Sequence, residues 1–296
     1  MEKQIPKLSI ITVNFNNKDG LIDTAKSVVA QTWIDYEWII IDGGSTDGSV
    51  DVIKEYADKT DKLVYWCSEP DGGIYQGMNK GIERANGEYC WFLNSGDYAY
   101  KDTILAEIFA NEFDEDIVYG NIKTIYPAEL EIKYIDSIKD VQKNNPYRPT
   151  DWINCAVIKH QASFTKRHLF VSLGLYNTSS YAISADTEFF VKSIFRYSAK
   201  IKYINTIFAA FICDGISSNT EKQEIVRSEY AKIILENFPN SHEKMFVKSY
   251  IRKKINFIFL PFNQLKCAVV RVKKFGFSRT ADYYKMKFIC KKKDRC

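Results

Sequence analysis

Polar residues that could do chemistry recur at the ends of apolar runs in this 296-residue chain: Asn14 and Asn16 after the first, Asp42 after the second, Asn94 and Asp97 after the fourth. A carboxylate at such a place can accept from a nucleobase N–H or a ribose hydroxyl, and another can hold a divalent cation that bridges a diphosphate. Taken singly, each is more often a helix cap or turn former; gathered at one sheet edge they favour a nucleotide site. Other phosphate chemistries lack their signatures. No GxGxxG follows the first run, which continues Asn14-Phe15-Asn16-Asn17-Lys18, and no GxxxxGK[ST] occurs. Seven scattered cysteines with no CxxC, and three histidines with no HExxH, argue against a zinc site.

The elements that must carry these residues alternate. Leu8–Val13, Glu37–Ile41, Leu63–Cys67 and Glu88–Leu93 are apolar runs rich in β-branched and aromatic residues, the mark of strands buried on both faces. Between them, 18–31, a stretch ending near Ala57, and 74–85 read as helices. Asn17 is placed to cap the first, and Ser45, Thr46 or Asp47 the second. Such alternation predicts right-handed βαβ units in an open, mostly parallel α/β sheet, with ligands at the carboxyl ends of its strands. Trp91, Phe92 and Tyr89 lie within a strand and are expected in the core. Beyond Asp97, strands are expected at 116–121, 153–158 and 201–211, helices at 166–172 and 186–195, and mainly helix from Glu221.

A composition of 46% hydrophobic and 26% charged residues excludes a disordered chain. The net charge of +4 conceals an asymmetry: residues 248–296 hold 15 of the 41 Lys and Arg but two of the 37 acidic residues. A basic tail on an acidic body calls for an anionic partner. Its apolar run 255–262, broken by Asn256 and ended by Pro261, falls well short of the ~20 residues of a bilayer span. It suits either an interfacial segment facing lipid phosphates or a core-packing helix with a basic face. No nucleic-acid module accompanies the charge. The N-terminal residues show no secretory signal, so a cytoplasmic protein, peripheral at the inner face of the cell membrane, is expected.

Four ordered motifs carry a family resemblance: Ser9–Asn16, Asp42–Gly48, Glu69–Gly81, and Gly87-Glu88-Tyr89 leading to Phe92–Asp97. Together they resemble family 2 glycosyltransferases of bacterial polysaccharide assembly. The resemblance weakens towards Ser218 and does not cover the basic tail. It implies a GT-A-type domain over 1–220, with a nucleotide-sugar half at 1–100 and an acceptor half at 101–220; the residues beyond it, 221–296, read as a helical, basic extension. It implies an inverting enzyme that uses Mn2+ or Mg2+ and moves a sugar from a nucleotide-diphosphate donor, UDP first, to a glycan or lipid-linked glycan. The donor residues would be Thr12, Asn14, Asn16, Asp42, Asp71, Gly73, Tyr75, Asn79 and Asn94, with Asp97 the metal ligand. Asn94 and Gly96 depart from the family's Asp-x-Asp, leaving one carboxylate there. Ser184–Glu188 resembles the segment supplying the base, with Asp186 first and Glu188 the alternative; a cap and a first-turn acid would look the same. His160 and Gln161 fall in a segment common in this subgroup and are candidates for the acceptor or diphosphate. The loop 214–218 resembles one near the acceptor. A nucleotidyltransferase, or a membrane-binding protein on an inactive transferase scaffold, are the competing readings.

Overall fold

The structure, a computed structural model, describes residues 5–125, 133–135, 158–212 and 223–237. All of them fall within Met1–Lys248, one of the two units into which the chain divides. The expectations for 214–218, for the basic tail and for nearly all of the strand at 153–158 lie outside the described residues.

Strands β1 (Leu8–Asn14) and β2 (Tyr36–Asp42) are buried at every position, as continuous apolar runs covered on both faces should be. They pair in parallel with Asn14 opposite Asp42. Strand β3 (Leu63–Ser68) pairs with β2 so that Ser68 stands opposite Asp42, and β4 (Tyr89–Phe92) flanks β1 on the other side. Register alone therefore lines up Asn14, Asp42 and Ser68 across one edge. The connecting helices are α1 (Lys18–Val29), α2 (Ser49–Lys59) and α3 (Ile74–Arg84). Asn17 caps α1, its Oδ1 accepting from the Gly20 N–H. For α2 the cap position is Gly48, and Asp47 instead accepts from Ser49 and from the Lys18 N–H.

Side chains alternate between two apolar layers, following the period of two. Ile11, Val13, Ile39 and Ile41 join Met78 and Ile82 of α3. Leu8, Ile10, Trp38 and Ile40 join Leu21 and Val28 of α1. Tyr89, Trp91 and Phe92 are buried, as expected of core residues. Helix α3 lies close on β1 because two glycines face it: a Cβ on Gly77 would sit 2.7 Å from Val13, and one on Gly81 2.4 Å from Ile11.

The second half extends the same sheet with mixed polarity. Strands β5 (Tyr98–Ala99), β6 (Ile117–Ile125), β7 (Lys133–Ile135), β8 (Ser163–Lys166) and β9 (Ile201–Ile212) give the order β3-β2-β1-β4-β8-β6-β9-β5, with β7 on β6. The remaining helices are α4 (Ile104–Phe109), α5 (Arg167–Leu173), α6 (Ala185–Val191, continued by a π turn to Arg196) and α7 (Gln223–Asn237). Strand β8 runs antiparallel beside β4, and the 3-10 turn His160–Ala162 leads straight into it. That pairing brings His160 to the end of β4.

Candidate active site

At the edge formed by β1, β2 and β3, Asp42 is fully buried and heavily bonded. Its Oδ1 accepts from Asn14 Nδ2 (2.7 Å) and Ser45 Oγ (2.6 Å). Its Oδ2 accepts from Ser45 N (2.8 Å), Ser68 Oγ (2.6 Å) and Gly44 N (3.2 Å). Burial alone would push its carboxyl up, but the hydrogen bonds from Ser45, Ser68 and Asn14 outweigh it and hold Asp42 below the usual carboxylate range. Asp42 is thus a fixed anion. Asn16, in the left-handed region at φ 46°, donates its N–H to Ser45 Oγ and accepts at Oδ1 from Thr46 N, tying the first two loops together. Beside them Phe15 is 63% exposed, and its ring and the Asp71 carboxylate border the same face of Gly43.

The loop after β4 is held from α1. Asn17 Nδ2 donates to Ser95 O (3.0 Å). Thr24 Oγ1 donates to Asp97 O (2.6 Å) and accepts from Gly96 N (3.1 Å). Gly96 has φ +98°, a left-handed conformation that glycine adopts without strain. Asp97 is buried, with Asn94 N 3.3 Å from its Oδ2. Among the described residues, no group of three or more His, Cys, Asp or Glu side chains converges to hold a metal. The donors present are the Asp97 carboxylate and the buried Asn94 Oδ1, which has no hydrogen-bond partner. One carboxylate and one amide oxygen fit a hard cation such as Mg2+ or Mn2+ that takes its remaining ligands from phosphate and water.

The second half contributes a half-buried dyad. His160 Nδ1 lies 2.9 Å from Asp186 Oδ2, the two side chains being 12% and 13% exposed. Asp186 Oδ1 accepts from Thr187 N and lies 2.8 Å from the Tyr75 hydroxyl, which is also 2.6 Å from Ile183 O. On the other side of the ring, Asn94 Nδ2 stands 3.2 Å from His160 Nε2. With that amide donating, His160 is the neutral tautomer carrying its proton on Nδ1; turned over, Asn94 would accept from a protonated Nε2. Burial would raise the Asp186 carboxyl, but the hydrogen bond from His160, with Lys159 and Tyr75, holds it below the usual range. Conversely, burial and the neighbouring Asp186 push the Tyr75 hydroxyl well up, so it remains a donor.

The other sequence candidates take other places. Thr12 does not reach the edge: it shares the buried face of Leu8 and Ile10, and its Oγ1 accepts from Trp38 Nε1 (3.0 Å). Asn79 is spent on structure, bonding both the N–H and the carbonyl of Tyr176. Asp71 Oδ1 accepts from the Gly73 N–H, and Gly73, at φ +120°, starts α3. Tyr75, expected on the sugar side, is buried against Asp186. The Gln161 backbone carbonyl accepts from Trp91 Nε1. Glu188 faces Lys192 (3.7 Å) and Glu236 of α7, and burial raises its carboxyl. Missed in the sequence were Ser45, Ser68 and Phe15; serines flanking an aspartate at a strand end carry no distinguishing pattern.

An open α/β sheet with a fixed carboxylate at its parallel edge and a second, half-buried carboxylate beside an antiparallel extension is a GT-A-type transferase architecture. Residues 9–170 match Glycosyl transferase family 2, and the chain belongs to that family. It is 31% identical over 222 residues to an uncharacterized glycosyltransferase of Mycobacterium tuberculosis, covering 74% of this chain and 80% of the relative. It is 29% identical over 230 residues to a PGL/p-HBAD biosynthesis glycosyltransferase of Mycobacterium bovis, covering 77% and 83%. In fold it resembles S. aureus TarS 1-349 in complex with UDP, with a TM-score of 0.60 at 16% identity over 85% of this chain and 72% of that one. It also resembles the mannosyltransferase PcManGT from Pyrobaculum calidifontis in complex with GDP-Man and Mn2+, with a TM-score of 0.56 at 14% identity over 96% and 80%. Among the described residues no helix is long and apolar enough to cross a membrane.

Proposed function

We propose that this chain is an inverting glycosyltransferase that moves a sugar from a nucleotide-diphosphate donor to a glycan hydroxyl, with Asp186 as the base. The observation that carries the reading is the contact chain from the acceptor half to the donor half: Asp186 to His160 to Asn94, and Asp186 to Tyr75 at the start of α3. The edge with Asp42 and Phe15 takes the nucleoside, the buried Asp42 fixing the Ser45 and Ser68 groups that border it and the Phe15 ring offering a flat face to the base. The acceptor oxygen attacks the anomeric carbon and its proton passes to Asp186, while the bond from that carbon to the diphosphate oxygen breaks and the nucleoside diphosphate leaves. His160 keeps Asp186 ionised and oriented for that step. Asp97 and Asn94 would hold Mn2+ or Mg2+, which when bound neutralises charge developing on the leaving diphosphate.

UDP is the first nucleotide to test, as the one bound to TarS, with GDP second from PcManGT. The basic segment 248–296 would draw the enzyme to an anionic membrane carrying a lipid-linked acceptor, in surface polysaccharide assembly. The test is a thermal-shift panel of UDP, GDP, CDP and dTDP, each with and without Mn2+. Metal-dependent stabilisation by one nucleotide, lost in Asp97→Ala, is expected. A flat panel in the wild type would contradict the donor site.

A further inference from the structure

Helix α7 holds the loop that leads to the proposed base, and one buried side chain makes the connection. Glu229, 8% exposed, turns its carboxylate onto the backbone of that loop. Its Oε1 accepts from Ala182 N (2.5 Å), and Ile183 N lies 3.3 Å from Oε1 and 3.1 Å from Oε2. The other side of the same residue is held from α3, because the Ile183 carbonyl is 2.6 Å from the Tyr75 hydroxyl. That hydroxyl also lies 2.8 Å from Asp186 Oδ1. Ile183 is therefore gripped at its N–H by Glu229, while its carbonyl and Asp186 Oδ1 share the single Tyr75 hydroxyl proton. A second grip reinforces the first: Tyr181 donates its hydroxyl to Glu236 Oε2 (2.6 Å), one residue before the segment that Glu229 holds.

We infer that Glu229 is a positioning residue that sets the Asp186 carboxylate through the Ala182–Ile183 backbone and Tyr75. The inference rests on the reading of Asp186 as base. A buried carboxylate is costly unless its oxygens are bonded, and here the donors are backbone N–H groups three and four residues before Asp186. Gln would keep the volume, but its amide nitrogen would face a backbone N–H and hold only one of the two; Ala would hold neither. An error of an ångström at the reacting group costs up to ~10²-fold in rate. Turnover is therefore expected to fall about tenfold in Glu229→Gln and about a hundredfold in Glu229→Ala, through kcat and not through the donor KM.

Two measurements on the full chain decide it. The protein has three histidines, His160, His168 and His242, so imidazole 1H–15N spectra are easily assigned. The His160 Nδ1 proton, bonded to Asp186, is expected to shift or broaden in Glu229→Gln while the His168 signals stay in place. Hydrolysis of UDP-glucose, UDP-galactose and UDP-GlcNAc with Mn2+, water serving as the acceptor, is followed by UDP release, and donor KM should remain within about twofold. A His160 signal that does not move, or a loss expressed in KM, overturns the inference. If the wild type turns over none of the three donors, the UDP-transferase reading fails, whereas the spectra still report on Glu229. If Asp186→Asn transfers like the wild type, the base is misassigned and the positioning role falls with it.

Discussion

Asp42 offers the sharpest test of how the donor edge is built, because its five hydrogen bonds differ in how they respond to substitution. In Asp42→Asn the Oδ1 side can adapt: the Ser45 hydroxyl rotates, and the Asn14 amide, whose Oδ1 is buried without a partner, can turn over and accept. On the Oδ2 side, bonds from Ser45 N, Gly44 N and Ser68 Oγ to a charged oxygen become bonds to a neutral one. Hydrogen bonds to charged groups contribute ~1.5–3 kcal/mol against ~1 for neutral ones, so Asp42→Asn should cost about 2 kcal/mol. In Asp42→Ala the two backbone N–H groups lose their acceptor in a fully buried site, at ~1–3 kcal/mol each, for a total of about 4 kcal/mol. Urea unfolding of the two variants beside the wild type measures both values. The sign with pH is fixed as well. The folded-state pKa of Asp42 lies below its unfolded value, so its contribution is complete above the ordinary Asp range and is lost as pH falls through the folded value. The gap between wild type and Asp42→Asn should therefore hold at neutral pH and close below about pH 4. An Asp42→Ala penalty under 1 kcal/mol, or a gap that widens in acid, would refute the reasoning.

Gly81→Ala should lose about 1–3 kcal/mol in the same assay, because its Cβ would meet Ile11 at 2.4 Å and force α3 off β1; an unchanged urea midpoint would mean the helix is not held that closely. Glu188 has a raised folded-state pKa, so its ionised form opposes folding, and stability is lost as pH rises through that value. Glu188→Gln should therefore stabilise the fold at pH 7.5, by about 1 kcal/mol for a buried oxygen without a hydrogen-bond partner. The gain should vanish in acid, and transfer should persist; lost transfer would return Glu188 to the base role. Gly96→Asp, which restores the second carboxylate of Asp-x-Asp, should cost ~1 kcal/mol from the left-handed backbone without tightening Mn2+-dependent nucleotide binding in thermal-shift titrations.

The edge that sets Asn14 beside Asp42 was legible because its logic is one-dimensional. Apolar runs of six or seven residues ending in Asn or Asp fix both strand and strand end, and parallel register then sets Asn14 beside Asp42. The same alternation explains why Thr12 misleads. Two residues before Asn14, it points into the α1 layer, where it serves Trp38. Asn79 lies one turn on from Tyr75 on the same helix face, and sequence could not tell that one meets Asp186 and the other a loop backbone. The acceptor half was harder to read. Strand β8 is four residues long with buried Ser163 and Thr165, so no apolar pattern marks it. Yet its pairing with β4 is what carries His160 to Asn94 and, across 26 residues of sequence, to Asp186. The grip of Glu229 on Ala182 and Ile183 is longer-range still, and a glutamate beside the apolar residues of its helix gives no sign of which backbone it meets.

Transfer by Asp186→Asn, measured at saturating donor and compared with the same variant's nucleotide affinity, separates a base from a binding residue. Asn keeps the shape and a hydrogen bond with His160 but cannot take a proton. Turnover should fall by ~10²–10⁴-fold, the usual contribution of a general base, with nucleotide affinity within about twofold of wild type. Turnover within tenfold of wild type would contradict the base role, as would nucleotide binding lost together with transfer.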